Sequence, residues 1–211
     1  MAEVLRWSVA VGCWGLLVMA WTVGAVHAAR RAPRKQARSR PGGMLPLAVV
    51  PLTWAVGMLF PFERWPVLPG ALATAAAGML PLCMAFTLWS RATLGAMWTP
   101  RPAIRTGHLL RTSGPYAVTR HPIYTGVLAM ILCTALLSRQ SWALALFAVA
   151  VLTLTVKIRA EEQLLREVFG PEYDTYRARV PRLLPLGMWR AVRDTDTGAG
   201  ETGPAVTARG R

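Results

Sequence analysis

An all-α, polytopic membrane protein of five transmembrane helices, the last two forming a hairpin, is the architecture the sequence predicts, and three observations predict it. Of 211 residues 54% are hydrophobic, yet 24 Lys and Arg stand against 10 Asp and Glu. That combination does not suit a soluble domain, where apolar side chains need a dry face while excess charge must stay wet. The apolar residues are bunched into long blocks, and about 20 such residues carry a helix across the hydrocarbon core. The basic residues are concentrated between particular blocks, as in loops that fix membrane orientation.

The first block runs from Val4 to Val26. It exceeds a signal-peptide core and has no basic leader beyond Arg6, so a span is expected despite the small-residue run Val26-His27-Ala28. Met44 to Phe60 is the second block and Leu68 to Trp89 the third; Pro81 inside the latter is tolerable in a membrane helix. Ile123 to Leu137 and Trp142 to Val156 are separated only by Ser138, Arg139, Gln140 and Ser141 and read as a helical hairpin, crossing with tilt or re-entrant. Either way its two ends lie on one side.

Charge orients these helices. His27 to Gly43 and Arg91 to Pro122 are rich in Arg and contain no acid, whereas 61–67 and 138–141 carry one Arg each. The positive-inside rule puts the amino terminus outside and the carboxyl terminus in the cytosol, in a cell membrane. The basic run after the first helix has no interleaved aromatics and abuts the membrane, so contact with anionic lipid explains it and nucleic acid does not. Cys13, Cys83 and Cys133 fall one per apolar block without metal-ligand spacing and read as small hydrophobes. The chain thus divides into three amino-terminal helices over 1–90, a region 91–185 containing the hairpin 123–156, and a tail 186–211. That tail is rich in Gly, Thr, Ala and Arg and is expected to be disordered.

Two cytosolic stretches are not explained by spanning. In the first, Ser113-Gly114-Pro115-Tyr116 signals a turn, and Pro122 keeps His121 out of α geometry at the start of the fourth helix. That helix terminus, beside Arg120, suits a carboxylate. In the second, the fifth helix runs on through Arg159, Glu161, Glu162 and Phe169 until Gly170-Pro171 stops it, and a further helix from Glu172 carries Tyr173 and Tyr176. Glu161 and Glu162 sit just past the hydrocarbon boundary, where ionisable groups are often functional. An i,i+4 pair of Glu162 with Arg166 on a wet face is the plain alternative.

Together LGAMWTP, SGPYAVTRHPIYTG and RAEEQLLREVFGPEYDTYRARVPRLLP resemble the isoprenylcysteine carboxyl methyltransferase family, which is related to the phospholipid N-methyltransferases. The resemblance covers about Arg91 to Pro185. It implies a membrane methyltransferase with S-adenosylmethionine in a cytosolic pocket open to the bilayer and no Rossmann unit; the chain has no strand followed by G-x-G-x-x-G. Carried over, His121, Pro122 and Tyr124 match the cofactor loop, Glu161 and Glu162 the acidic pair, and Tyr116 and Arg120 neighbouring motif positions. The implied acceptor is lipid-like or a small hydrophobic molecule. If it is a carboxylate, Arg159, Arg120 or Arg101 would orient it without a base; if a phenol or thiol, His121 is the candidate base. Residues 1–90 match no motif of the family. Two other readings are an NADPH-dependent membrane reductase of the steroid type, which would be expected to show HPNY rather than His121-Pro122-Ile123-Tyr124, and a non-enzymatic basic membrane anchor, which leaves both motif stretches unexplained.

Overall fold

The computed structural model describes residues 1–31, 38–39, 69–95, 103–104 and 110–184. The expected second span at 44–60, the connection 61–67, Arg101 and the tail 186–211 lie outside the described residues. The described chain forms α1 (Ala2–Arg31), β1 (Arg38–Ser39), α2 (Gly70–Leu94), β2 (Ala103–Ile104), α3 (Pro115–Val118), α4 (Pro122–Ser138), α5 (Ser141–Phe169) and α6 (Pro171–Arg179). The described fold is all helical, as expected, apart from one two-residue antiparallel pairing, Arg38 opposite Ile104 and Ser39 opposite Ala103.

Among the described residues, α1, α2 and α5 each contain a stretch long and apolar enough to cross a membrane, at Ala2–His27, Gly70–Leu94 and Trp142–Phe169. At about 1.5 Å per residue, the 17 residues of α4 make a shorter apolar helix. Val11, Val18 and Val23 of α1, Leu82 of α2, and Leu152 and Val156 of α5 are exposed. Large side chains of this kind on an outer face are what lipid requires and water penalises. The architecture is that of an integral membrane protein.

The helices end where backbone chemistry ends them. Gly95, at φ 53°, closes α2, its N–H reaching the carbonyls of Arg91 and Ala92. Arg139, at φ 55°, turns the hairpin between α4 and α5. Gly170, at φ 51°, donates to the Arg166 carbonyl and stops α5, and Pro171 opens α6 at the first helical position, where its missing N–H is not needed.

Packing centres on α2 against α4, with α1 lying on α2 and α5 on α4. Ala10, Cys13 and Leu17 meet Ala76, Ala77 and Leu80, and Met130, Cys133 and Leu137 complete that core. Trp14 Nε1 donates to Thr134 Oγ1 at 3.0 Å, tying α1 to α4. Of the described glycines, Gly126 is the most tightly enclosed. A methyl there would overlap Thr87 Oγ1 and stand 3.2 Å from Thr87 Cβ and 3.3 Å from the Cys83 carbonyl, so only glycine admits α2 at this level. A second cluster joins Leu128 and Ile131 of α4 to Ala150, Leu154 and Ile158 of α5, and Leu183 caps it from beyond α6.

Candidate functional site

The amino-terminal end of α4 and the carboxyl-terminal half of α5 carry the polar centre of the described residues. Thr119, Arg120 and His121 form the link between α3 and α4: Thr119 is extended, the chain bends at Arg120, and His121 is the residue before the helix (φ −123°, ψ 62°). This link is held by the segment that follows α6: Arg120 N–H donates to the Pro181 carbonyl at 2.9 Å, His121 N–H to Arg182 O at 3.3 Å, and Thr119 Oγ1 to Arg182 O at 3.0 Å. Pro181 has no N–H to offer, so pairing runs through its carbonyl. Arg120 Nη1 also donates to the Arg177 carbonyl at 2.8 Å, and the Tyr176 hydroxyl donates to Tyr116 O at 2.6 Å.

Opposite this link, one turn of α5 presents Lys157, Glu161 and Glu162. Glu162 is buried, its side chain 5% exposed. Arg182 Nε and Nη2 donate to its Oε2 at 3.1 and 2.6 Å. Arg120 Nη2 lies 2.9 Å and His121 Nε2 3.4 Å from Oε1, in ion-pair range but off the hydrogen-bonding direction. Glu161, 21% exposed, has Tyr124 donating to Oε1 at 2.6 Å, His121 Nδ1 at 3.8 Å from Oε2 and Lys157 Nζ at 4.0 Å from Oε1. His121 stacks on Tyr124 at 5.7 Å between centroids, and the buried Lys157 holds its Nζ 5.4 Å from the centre of the Tyr124 ring. A cation over a ring face inside a dry site is stabilised by the ring quadrupole.

The surroundings shift the outlying groups in consistent directions. Burial lowers the Arg120 guanidinium from its ordinary value, with Glu162 opposing, and arginine remains charged. Burial raises the phenols of Tyr116 and Tyr173, and Tyr176 is pushed up to about 12 by burial, with Arg120 pulling the other way.

Of the residues expected from sequence, Arg120, His121, Tyr124, Glu161 and Glu162 meet here, and Pro122 is buried at the head of α4. Tyr116 is buried one step away and is joined to Tyr176 through its carbonyl. Arg159 is exposed and makes no hydrogen bond or ion pair among the described residues. The i,i+4 pair of Glu162 with Arg166 does not form; Arg166 instead meets Asp174 of α6 at 2.9 Å, both about half exposed. Two participants were not read from sequence. Lys157, one turn before Glu161, closes an apolar block and passes for its boundary; Arg182 is separated from Glu162 by a whole helix and no periodicity links them.

Apolar helices on the outside and a buried cluster of two carboxylates, cations and an aromatic ring toward one end of them define an integral membrane protein with a buried polar centre. Comparison points to a family: residues 76–167 match the isoprenylcysteine carboxyl methyltransferase (ICMT) family. The match begins within α2 and includes the link, the hairpin and both glutamates. Protein-S-isoprenylcysteine O-methyltransferase of Schizosaccharomyces pombe is 38% identical over 80 residues, 37% of this chain and 34% of that protein. Protein YpbQ of Bacillus subtilis is 38% identical over 81 residues, 37% of this chain and 48% of its own length. The cobalt-zinc-cadmium resistance protein CzcN of Cupriavidus metallidurans is 35% identical over 104 residues, 48% of each chain. The chain therefore spans between about a third and a half of the length of these relatives.

Proposed function

We propose that this protein transfers a methyl group from S-adenosylmethionine to an anionic, lipid-like acceptor reaching the site from the bilayer. The observation that carries this reading is the meeting of Glu161 with Tyr124 and His121 across the hairpin, within the stretch that matches the methyltransferase family. Forty residues separate His121 from Glu161, and only a hairpin that returns the chain to its starting side brings them together.

The residues present suit the cofactor. Its ammonium and ribose hydroxyls need a carboxylate with room left to accept, which describes the partly exposed Glu161 better than Glu162, whose two oxygens already face Arg120 and Arg182. His121 and Tyr124 offer a stacked aromatic wall. When bound, S-adenosylmethionine supplies an electrophilic methyl group on a sulfonium. The chain's own work is alignment and exclusion of water. Lys157 is suited to orienting an acceptor carboxylate, which is ionised at neutral pH and needs no base; a phenol or thiol acceptor would instead lose its proton to His121.

On this reading the site faces the cytosol and the amino terminus lies outside, in keeping with the Arg-rich connections on the site's side. Cysteines introduced beside Arg64 and Arg111 should then be labelled from opposite sides of sealed vesicles, and labelling of both from one side would refute the orientation.

Titration of the detergent-solubilised protein tests the chemistry. S-adenosylmethionine is expected to bind and NADPH not to, and Glu161→Gln and His121→Ala each weaken binding about tenfold to a hundredfold without unfolding the protein, the usual effect of losing a hydrogen bond to a charged group. Methyl transfer to an isoprenylated cysteine bearing a free carboxylate tests the acceptor class. Binding of NADPH alone, or wild-type S-adenosylmethionine affinity in both variants, would overturn the reading.

A further inference from the structure

Cys13, Cys83 and Cys133 are far apart in the sequence, yet all three meet in the core shared by α1, α2 and α4. All are free thiols. Cys83 and Cys133 go further and share a hydrogen bond, which puts their sulfurs in contact across the α2–α4 interface. A disulfide needs Cα atoms about 4.4–6.8 Å apart, so the helices that carry it must run close together. These do: the Cys83 carbonyl stands 3.3 Å from where a methyl on Gly126 would lie, and Gly126 is about two turns along α4 from Cys133.

Access to the pair is asymmetric. Cys133 is buried, whereas Cys83 is partly exposed and shares a helix face with Met79 and Leu82, both exposed. On a helix long and apolar enough to cross a membrane, that face meets lipid. An oxidant reaching Cys83 therefore comes from the bilayer, where charged and strongly hydrated reagents are scarce.

We propose that Cys83 and Cys133 form a reversible oxidation site for lipid hydroperoxides, whose product is a disulfide that staples α2 to α4. The Cys83 sulfur attacks the terminal peroxide oxygen; the O–O bond breaks, the lipid leaves as an alcohol carrying the thiol proton, and Cys83 becomes a sulfenic acid. The Cys133 sulfur then displaces that hydroxyl: the S–S bond forms, the S–O bond breaks, and water leaves with the second proton. Two electrons pass from the sulfurs to the peroxide, so two thiols and one hydroperoxide give one disulfide, one alcohol and one water. Apolar surroundings slow the first attack, and contact between the sulfurs favours the second, which is intramolecular. The site is independent of the methyltransferase reading.

The test reconstitutes the full-length protein in vesicles containing a phospholipid with a hydroperoxide on one acyl chain, and counts free thiols with maleimide after denaturation. The count should fall from three to one and return to three with dithiothreitol, with a Cys83–Cys133 cross-linked peptide recovered from monomeric protein. Cys13→Ser should fall from two thiols to none, and Cys83→Ser should keep both of its own. Three thiols remaining in wild type, a disulfide through Cys13, cross-links only between molecules, or equal thiol loss in Cys83→Ser overturns the proposal. Hydrogen peroxide at the same concentration is the aqueous arm; faster thiol loss with it than with the lipid hydroperoxide overturns the bilayer source.

Discussion

Arg182 places Nε and Nη2 on the same oxygen of Glu162, at 3.1 and 2.6 Å, and so fastens the segment beyond α6 to the middle of α5. The same residue's carbonyl accepts from His121 N–H and Thr119 Oγ1, so one residue joins three parts of the chain that are distant in sequence.

Replacing Arg182 with Ala should therefore loosen the link that carries Arg120 and His121. The Arg182 side chain is 40% exposed, which screens the interaction, and Glu162 keeps Arg120, so a loss of about 1 kcal/mol in unfolding free energy is expected. Lys in its place restores the charge but cannot offer two fixed donors, so rescue should be partial. Urea unfolding in detergent followed by tryptophan fluorescence checks this; full rescue by Lys would show that charge alone matters.

Gly126 makes a prediction about packing. Ala at this position would collide with Thr87 where α2 and α4 touch, and overpacking of this sort costs about 1–3 kcal/mol. Adding Thr87→Ala removes the overlapping hydroxyl but leaves the Cys83 carbonyl and the Cβ of residue 87 in place, so stability should return in part. A double variant no better than Gly126→Ala would show that backbone contact, not the hydroxyl, sets the distance.

These particulars also show what could be read from the chain alone. The hairpin was legible because Ser138, Arg139, Gln140 and Ser141 interrupt two apolar runs, and the end of α5 because Gly170-Pro171 cannot continue a helix. The meeting of His121 with Glu161 followed from the hairpin's return. Arg182 was not legible, since its partner lies 20 residues away across a helix and only the folded path of 180–184 brings them together. The i,i+4 rule pointed to Glu162 with Arg166, yet α6 folds back to offer Asp174 to Arg166, while Glu162 turns inward to two other arginines. Local spacing identifies neighbours on a helix surface; it does not reveal which face is buried against another segment.

The tyrosines make the pH prediction. All four tyrosines of the chain lie in or beside the site, and burial raises Tyr116 and Tyr173 above the ordinary phenol and pushes Tyr176 up to about 12. An unfolded phenol is half ionised near pH 10. Absorbance at 295 nm should therefore show at least these three phenols held back in the native protein at that pH and released on denaturation. A folded-state value above the unfolded one means that the native state holds its protons longer. This contribution to stability is complete below about pH 10 and is lost as pH rises toward 12 and beyond. Native and denatured titration curves that coincide would contradict the burial of these rings.

The two ion pairs at Glu162 and Arg166 allow the sharpest contrast. Arg120 and Glu162 are 8% and 5% exposed at their side chains, and removing one partner strands the other charge away from water. Glu162→Gln should cost about 3–5 kcal/mol less whatever the remaining polar contacts recover, as for other buried pairs broken on one side. Arg166 and Asp174 lie at the same 2.9 Å separation but are 49% exposed each, so Asp174→Asn should cost well under about 1 kcal/mol. Salt separates them further: at 1 M the Debye length falls to about 3 Å, which erases an exposed pair and barely touches a buried one. Unfolding free energies of both variants at low and high salt decide the matter. Similar costs for the two substitutions, both declining with salt, would mean that water reaches Glu162 and that the glutamate does not anchor the link to α5.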